Sequence, residues 1–411
     1  MLFHLAIFVF CLALVHRELA RRRWALRHFL LCFALALCGC QPGLRADTLP
    51  VVLTGQLAPG TAEGRFEWVK PAFVNGSGVI VFHAGYAGGY GHEGIFELSE
   101  GRLSPVAIEG QPVPDFPGVT FGNFGEPQIN NSGDVVFNAT LNNGATGLQA
   151  VFISSAGALR KIVDTEMQVP GAVGQRFTAL GNVRVNDVAD IAFSAALSSD
   201  GSIRSGIFLV SQGSIRAVAF TGQPLPGTSQ IYDALTPFSL NNHHDFALLA
   251  GSRVFLLSDG SATAVASPGQ PVPNANLMLH GMTEPSINDA KEIVFVNQKE
   301  VCCNRGGTYL SPNGIVRFRA GVLEKIAAEG DPVAGFAGAV FDKGFFHEPQ
   351  IDNFGGVVFS AGMTLNYQHA DVIVTAEGGK LTAVAHGGEF IDGIGTMDFM
   401  GQAHFNESKN S

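Results

Sequence analysis

The sequence predicts an all-β protein built as a ring of four-stranded blades, a β-propeller of six blades. Three observations predict it. A short motif recurs six times at near-constant spacing, and each copy is followed by the same succession of apolar runs and turns. The strongest runs are also apolar at consecutive rather than alternate positions. A seven-blade ring with one incomplete blade and an open β-solenoid are the alternatives.

The motif is an apolar residue, then Asn, three variable residues and an apolar run ending in Phe. It reads Val74-Asn75 through Phe82, Ile129-Asn130 through Phe137, Val185-Asn186 through Phe193, and Leu240-Asn241 through Leu248. It returns as Ile287-Asn288 through Phe295 and Ile351-Asp352 through Phe359, with a partial copy at Phe405-Asn406. The polar residues are spaced 55, 56, 55, 47, 64 and 54 apart, and a period of this size marks a stacked or radial repeat.

Within each unit a third strand is expected at Ile95-Phe96, Val151-Phe152, Ile207-Phe208, Val254-Phe255, Tyr309-Leu310 and Val372-Ile373. A Gly turn follows at Gly101, Gly157, Gly213, Gly260 and Gly379, and then a short fourth strand such as Val106-Ala107 or Ile162-Val163. Four strands per unit of this length is a propeller blade. Successive strand residues point to opposite faces, so Ile80-Val81-Phe82 needs cover on both sides, which a blade between two blades has. No stretch of the body has a helical period. Unit five carries an insertion, with an extra strand expected within Tyr309–Ala320. A lone fourth strand at Val51–Leu53 and a lone first strand near Met397–Phe405 would pair the chain ends and close the ring.

Residues 1–46 read as an N-terminal signal or anchor and residues 47–411 as one repeat domain. The apolar run Phe29–Leu37 follows Arg21, Arg22, Arg23 and Arg27, the order of a secretory signal, and it is too short for an ordinary membrane span. Leu37-Cys38-Gly39-Cys40 matches a bacterial lipobox, making Cys40 the expected lipidation site. Cleavage after Ala46 is the alternative, as is a membrane hairpin through Met1–Val15 and the second run. Removing the five Arg and Glu18 of residues 1–40 from 25 basic and 35 acidic residues leaves 20 against 34, about −14. Such a body has no footprint for nucleic acid and meets a membrane only through its anchor.

The motif copies resemble the bacterial tandem-repeat family named for Asn-x-x-Gly-x-x-Ala-Phe and known as "choice-of-anchor", over roughly residues 48–406. Gly78, Gly133 and Gly355 keep the motif Gly, where Ala189, His244 and Lys291 replace it; only Ala192-Phe193 keeps the Ala. The resemblance implies a surface-attached exported protein, anchored here by the N-terminal lipid, and no established activity.

Several groups are candidates for chemistry. The motif Asn reads as a hairpin residue, bonding backbone two residues on. Gly-Gln-Pro-Val-Pro at Gly110–Pro114, Gly222–Pro226 and Gly269–Pro273, with variants at Gly55-Gln56 and Gly330-Asp331-Pro332, reads as an extended linker outside strand pairing. Glu126, Glu284 and Glu348 each precede a Pro at the start of an innermost strand, so they are expected to ring the central channel, solvated or holding a cation. His83, Tyr86, Tyr90, His92 and Glu93 lie in a Gly-rich loop of unit one, with Tyr367 and His369 in the matching loop of unit six. In a six-blade ring those units are neighbours, so the two loops could stack a sugar or hold a metal ion. Cys302-Cys303 can form a disulfide between adjacent residues or remain thiols. No Gly-x-Ser-x-Gly, His-Glu-x-x-His, P-loop or dinucleotide motif is present. The expectation is therefore a monomeric, non-enzymatic binding or scaffolding module for a protein or glycan ligand, without a cofactor. The alternative is a glycan-active or metal-dependent enzyme on the loop face.

Overall fold

The computed structural model describes residues 51–87, 92–142, 147–198, 204–232, 237–302, 308–391 and 395–396. Six antiparallel blade sheets follow one another, each drawn from one contiguous stretch and each with its strands paired in chain order, and Phe390–Ile391 pairs with Gly395–Thr396 in a small two-stranded sheet after them. Blade one uses Phe66–Val69 with Phe73–Val74, then Ile80–Tyr86, Glu93–Ser99 and Arg102–Ile108. Blade two uses Thr120–Phe124 with Gln128–Ile129, then Val135–Asn142, Gln149–Ser155 and Ala158–Asp164. Blade three is Phe177–Val185, Ile191–Leu197, Arg204–Ser211 and Ser214–Phe220, and blade four Phe238–Leu240, Phe246–Ala250, Arg253–Ser258 and Ser261–Ala266. Blade five is Gly281–Ile287, Ile293–Cys302, Thr308–Arg319 and Val322–Ala328, and blade six Val340–Ile351, Val357–Leu365, Gln368–Glu377 and Lys380–His386. The inner strands of all six surround one axis, so the protein is a six-bladed propeller. No helix among the described residues is long and apolar enough to cross a membrane.

The core lies between blades. Val81, Ile95 and Ala107 of blade one pack with Phe121, Phe137 and Phe152 of blade two, and the same interleaving joins each later pair up to blades five and six. This is why the strands are apolar on both faces. The abundant Phe forms a repeated triad in the first three blades. Cross-strand pairs Phe82–Phe96, Phe137–Phe152 and Phe193–Phe208 stack at 5.9, 5.7 and 5.4 Å. Phe66, Phe121 and Phe177 meet their edges at 4.9, 5.1 and 5.0 Å. Such pairs add stabilisation beyond the area they bury.

Two turn positions carry the hairpins. Between third and fourth strands a two-residue turn ends in Gly in every blade, including Gly321 of blade five, with φ of 48–55° then 74–84°. This is the type I′ geometry whose twist matches the strands. At the motif turn all six residues at the Gly position have positive φ: 82° at Gly78, 84° at Gly133, 61° at Ala189, 64° at His244, 60° at Lys291 and 82° at Gly355. His244 and Lys291 offset the strain by reaching back to a buried carboxylate of the preceding blade, Asp190 and Asp245 respectively.

The motif Asn works at both ends of its amide. Its Oδ1 accepts from its own hairpin, as from the Ser77 and Val79 amides onto Asn75 at 3.1 and 2.9 Å. Its Nδ2 donates to the main-chain carbonyl of the next motif Asn. These bonds run Asn75 to Asn130 (3.1 Å), Asn130 to Asn186 (3.0 Å), Asn186 to Asn241 (3.1 Å), Asn241 to Asn288 (3.1 Å) and Asn288 to Asp352 (2.9 Å). The following residue makes a second belt. Gly76, Asn131, Asp187, Asn242 and Asp289 donate their amides to the side chains of Asn131, Asp187, Asn242, Asp289 and Asn353 at 2.6–2.9 Å. Both belts stop at the junction of blade six with blade one, where Asp352 has no Nδ2 to give and Gly76 has no side chain to accept.

Three details depart from the sequence reading. Val51–Leu53 forms no strand; Val51 and Val52 pack on the blade-one core instead, and blades one and six each have four strands of their own. Met397–Phe405 and Asn406 lie outside the described residues. The Gly-Gln-Pro linker is not unpaired: it doubles back on the next inner strand. Gly110 donates to Phe121 at 2.8 Å, Phe121 to Gln111 at 3.0 Å and Val113 to Val119 at 2.9 Å, with Pro112 opposite Thr120. The prolines occupy positions where no donor is needed, so they permit pairing. In blade five the insertion adds no strand. It lengthens the second and third strands to 10 and 12 residues, and the buried third-strand pair is Ile315-Val316, with Val316 opposite Phe295. Tyr309 and Leu310 are exposed on the extension.

Two predictions follow from the turns and belts. Ala189→Gly relieves left-handed strain of about 1–2 kcal/mol against a glycine entropy cost of about 0.5–1 kcal/mol. Urea unfolding should show a gain of up to about 1 kcal/mol, and Gly133→Ala a loss of similar size. Asp352→Asn supplies the missing sixth donor while keeping the Oδ1 that accepts from Phe354 and Gly356. It should stabilise by about 0.5–1.5 kcal/mol, whereas Asn186→Asp, which removes a buried donor, should cost about 1–3 kcal/mol.

Candidate functional site

The inner strands line an axial cavity of about 400 Å³, with a second of about 180 Å³ at the motif hairpins. The larger one receives side chains from every blade: Phe73, Glu126 and Gln128, Arg184, Ser239, Glu284 and Ser286, Glu348 and Gln350. These occupy two repeat positions, two and four residues before the motif polar residue.

A local irregularity puts them there. Among the described residues five of the six inner strands are interrupted just upstream of the motif, while blade four pairs in register from Phe238. The ladder shifts between Thr283 and Ser286 and between His347 and Gln350, while in blade two the strand breaks between Phe124 and Gln128. Pro127, Pro285 and Pro349 sit in these interruptions, where a residue that cannot donate is tolerated. Glu284 and Glu348 have φ of 54° and 46°, left-handed values that a carboxylate side chain adopts at a cost of about 1–3 kcal/mol.

The three predicted carboxylates therefore line the channel with Arg184. Glu284 Oε2 accepts the Glu348 amide at 2.6 Å, stitching blade five to blade six. Burial pushes the Glu348 carboxyl up to about 7, with Glu284 and Glu126 adding to the rise and Arg184 opposing it. Loss of water around Arg184 lowers its pKa, while Glu126 and Glu348 hold it up. One Arg184 N–H donates to the Val183 carbonyl at 2.8 Å, and no carboxylate lies within 4 Å of it among the described residues. The four charges influence one another without forming a closed ion pair.

The loop residues are placed differently. His83 is buried between Trp68, at 5.0 Å, and Phe124, at 6.3 Å, with Nε2 3.3 Å from Glu93 Oε2. The other Glu93 oxygen accepts the Phe124 amide of blade two at 2.6 Å. Burial raises the Glu93 pKa, but hydrogen bonds from His83 and Phe124 and the charges of His83 and Lys70 outweigh it, leaving a net lowering. Glu93 is thus an interblade staple, matched in blade two by Gln149, which accepts the Leu180 amide at 2.8 Å. Tyr86 is buried and stacks on His92 at 5.7 Å. His369 bonds Asp342 at 2.8 Å within blade six, and Tyr367 is exposed at the tip of its hairpin. The structure joins His83 to Glu93 and Tyr86 to His92, and the bonds of His369 stay in its own blade. Among the described residues no group of three or more His, Cys, Asp or Glu has the spacing to hold a metal ion. Cys302 ends the second strand of blade five opposite Thr308. Tyr90, Cys303 and Cys40 lie outside the described residues.

Arg184 was not among the residues singled out in the sequence. Superposing the six copies would have found it, because it stands two residues before Asn186, where Gln128, Ser286 and Gln350 stand before theirs.

A family model described as "Family of unknown function (DUF7453)" matches residues 44–165, 142–302 and 302–408. The chain belongs to that family. No curated protein sequence matches it. Among solved structures it is similar to an oligogalacturonate lyase in complex with manganese, at 12% identity and a TM-score of 0.36, over 61% of this chain and 65% of that one. It is also similar to the Aleuria aurantia lectin in complex with alpha-methyl-L-fucoside, at 12% and 0.33, over 77% and 93%. A third is PorZ, a surface component of the type-IX secretion system of Porphyromonas gingivalis, at 12% and 0.34, over 80% and 52%. The chain thus spans about two thirds of the lyase and half of PorZ. These likenesses carry no argument about what this chain binds or does.

The raised Glu348 pKa gives a signed prediction. A carboxyl whose folded pKa exceeds its unfolded value contributes stability that is full below the unfolded value and is lost as pH rises toward the folded one. Glu348 should therefore lower stability progressively from about pH 4.5 to about 7. In thermal melts across that range Glu348→Gln should remove this part of the decline and be the more stable form at pH 8. Parallel curves for the two proteins would show that Glu348 is not the titrating group.

Proposed function

We propose that this chain is an exported, non-catalytic binding propeller whose ligand seat is the axial channel. One observation carries the reading. The position just before the motif polar residue stays apolar in every blade, while the position one residue further back, which lines the channel, changes in chemistry around the ring. The apolar position before the motif polar residue is Val, Ile, Val, Leu, Ile and Ile across the blades; one residue further back it is Phe73, Gln128, Arg184, Ser239, Ser286 and Gln350. A sixfold scaffold whose six channel positions hold four residue types makes an asymmetric pocket, and about 400 Å³ is within the size of small-molecule sites. The basic-then-apolar leader with Cys40 supports export with a lipid anchor. The motif resemblance to the choice-of-anchor repeats points to the same address.

The test blocks the channel. Ser239→Trp with Ser286→Trp fills it from two blades without touching the belts. Compounds and glycans that raise the melting temperature of the full chain should lose their effect in this variant and keep it when His92, Glu93 and His369 are replaced by Ala. The opposite pattern would move the seat to the loops, and turnover of a bound compound would overturn the non-catalytic reading. For the anchor, Cys40→Ala should release the protein from the membrane fraction of a bacterial host; a full chain that stays cytosolic would refute export.

A further inference from the structure

The chemistry of the channel wall restricts what can sit there. Arg184 is a cation drawn partly out of water, with one donor used on its own backbone and no carboxylate within ion-pair distance among the described residues. A guanidinium in that state is completed by an acceptor, best an anion presenting two oxygens. In a ring of six, blade three lies opposite blade six; the charges that act on Arg184 are Glu126 of neighbouring blade two and Glu348 of blade six, and Glu284 stands beside Glu348 on blade five. The Glu284 carboxylate accepts the main-chain amide of Glu348, which ties the two positions together. Their side of the wall favours a cation that donates hydrogen bonds.

A lone metal ion or amine would satisfy the carboxylates and leave Arg184 facing added positive charge. A lone anion would satisfy Arg184 and face Glu126, Glu284 and Glu348. Only a molecule with both charges suits both sides. We propose, on the reading that the channel is the ligand seat, that it binds a small zwitterion of the amino-acid or short-peptide class. The ligand carboxylate pairs with Arg184 and its ammonium lies between Glu284 and Glu348. Gln128, Ser239, Ser286 and Gln350 supply neutral hydrogen bonds along the wall. The cavity volume of about 400 Å³ sets the upper size at a few residues.

The proposal carries a proton signature. An ammonium beside Glu348 favours its ionised form, so binding near pH 7 should release part of a proton. The experiment is calorimetric titration of the full chain with Ala, Ala-Ala and Ala-Ala-Ala, in two buffers of different ionisation enthalpy. N-acetylated and C-amidated forms of each serve as probes lacking one charge. Binding is expected for at least one length, falling about tenfold or more when either end is blocked, with a buffer-dependent heat. Arg184→Met should abolish the preference for a free carboxylate, and Glu348→Gln should abolish proton release; both should leave the far-ultraviolet spectrum unchanged. If no length binds, or if blocked and free forms bind alike, the zwitterion assignment is wrong. A different ligand that is displaced by the Ser239→Trp/Ser286→Trp variant would then keep the channel as the seat, and one indifferent to that variant would remove both readings.

Discussion

The bond from each motif Asn to the next blade's carbonyl is the constraint from which the remaining geometry follows. Its Nδ2 and Oδ1 act in different directions, one across the blade junction and one into its own turn. A buried amide with both ends satisfied stabilises by about 1 kcal/mol per bond, and a half-satisfied one costs more than that. Asp could close the turn but could not cross the junction, and Ser could do neither at this reach. The bond also fixes each inner hairpin at one height on the axis. The second belt, one residue later, locks the same height through Asn131, Asp187, Asn242, Asp289 and Asn353.

With the hairpins pinned, the upstream half of each inner strand outside blade four absorbs the mismatch between a straight ladder and a crowded axis. It does so by slipping register at Glu126-Pro127, Glu284-Pro285 and Glu348-Pro349. The proline removes a donor where pairing fails, and the slip turns the preceding residue inward. Backbone irregularity and charge placement therefore have one cause. The channel carries its carboxylates at positions released from the ladder, two of them, Glu284 and Glu348, with left-handed φ. The same release brings Glu284 close enough to accept the Glu348 amide, and burial first, then the nearby charges of Glu284 and Glu126, raise the Glu348 pKa.

Most of the fold was legible because its signals are local. The motif hairpin, the Gly turn at Gly101 or Gly157 and the doubly apolar run at Ile80–Phe82 each need only a few adjacent residues. The channel carboxylates were legible for the same reason, since Glu-Pro before a motif marks an interruption in the inner strand. What was missed depends on contacts between units. The reach of Asn Nδ2 across a junction leaves no trace in one copy. The Gly-Gln-Pro linker looked unpaired because its partner, Phe121 for Gly110, belongs to the next blade. His83 and Glu93 looked like loop ligands because nothing local shows that Trp68 and Phe124 close over them. In blade five Tyr309-Leu310 does lie on the third strand, but on its exposed extension, and the buried pair opposite Phe295 and Val296 is Ile315-Val316.

The coincidence of both belts stopping at one junction has a mechanical meaning. Five junctions share two kinds of interblade bond; between blades six and one, Asp352 and Gly76 withdraw both at once. A ring tolerates this, because the other five junctions still hold the two blades in place, and loop closure within an assembled ring costs little. The two belts are therefore interrupted together at this junction, and opening the ring there breaks no belt bond. Glu348 and Glu284 stand on the blade-six side of it and Phe73 on the blade-one side, so any such opening would change the width of the channel at its most acidic wall. Arg184, on blade three, is opposite and anchored by intact belts on both sides. The channel thus has one wall flanked by both belts and one wall bordered by their interruption.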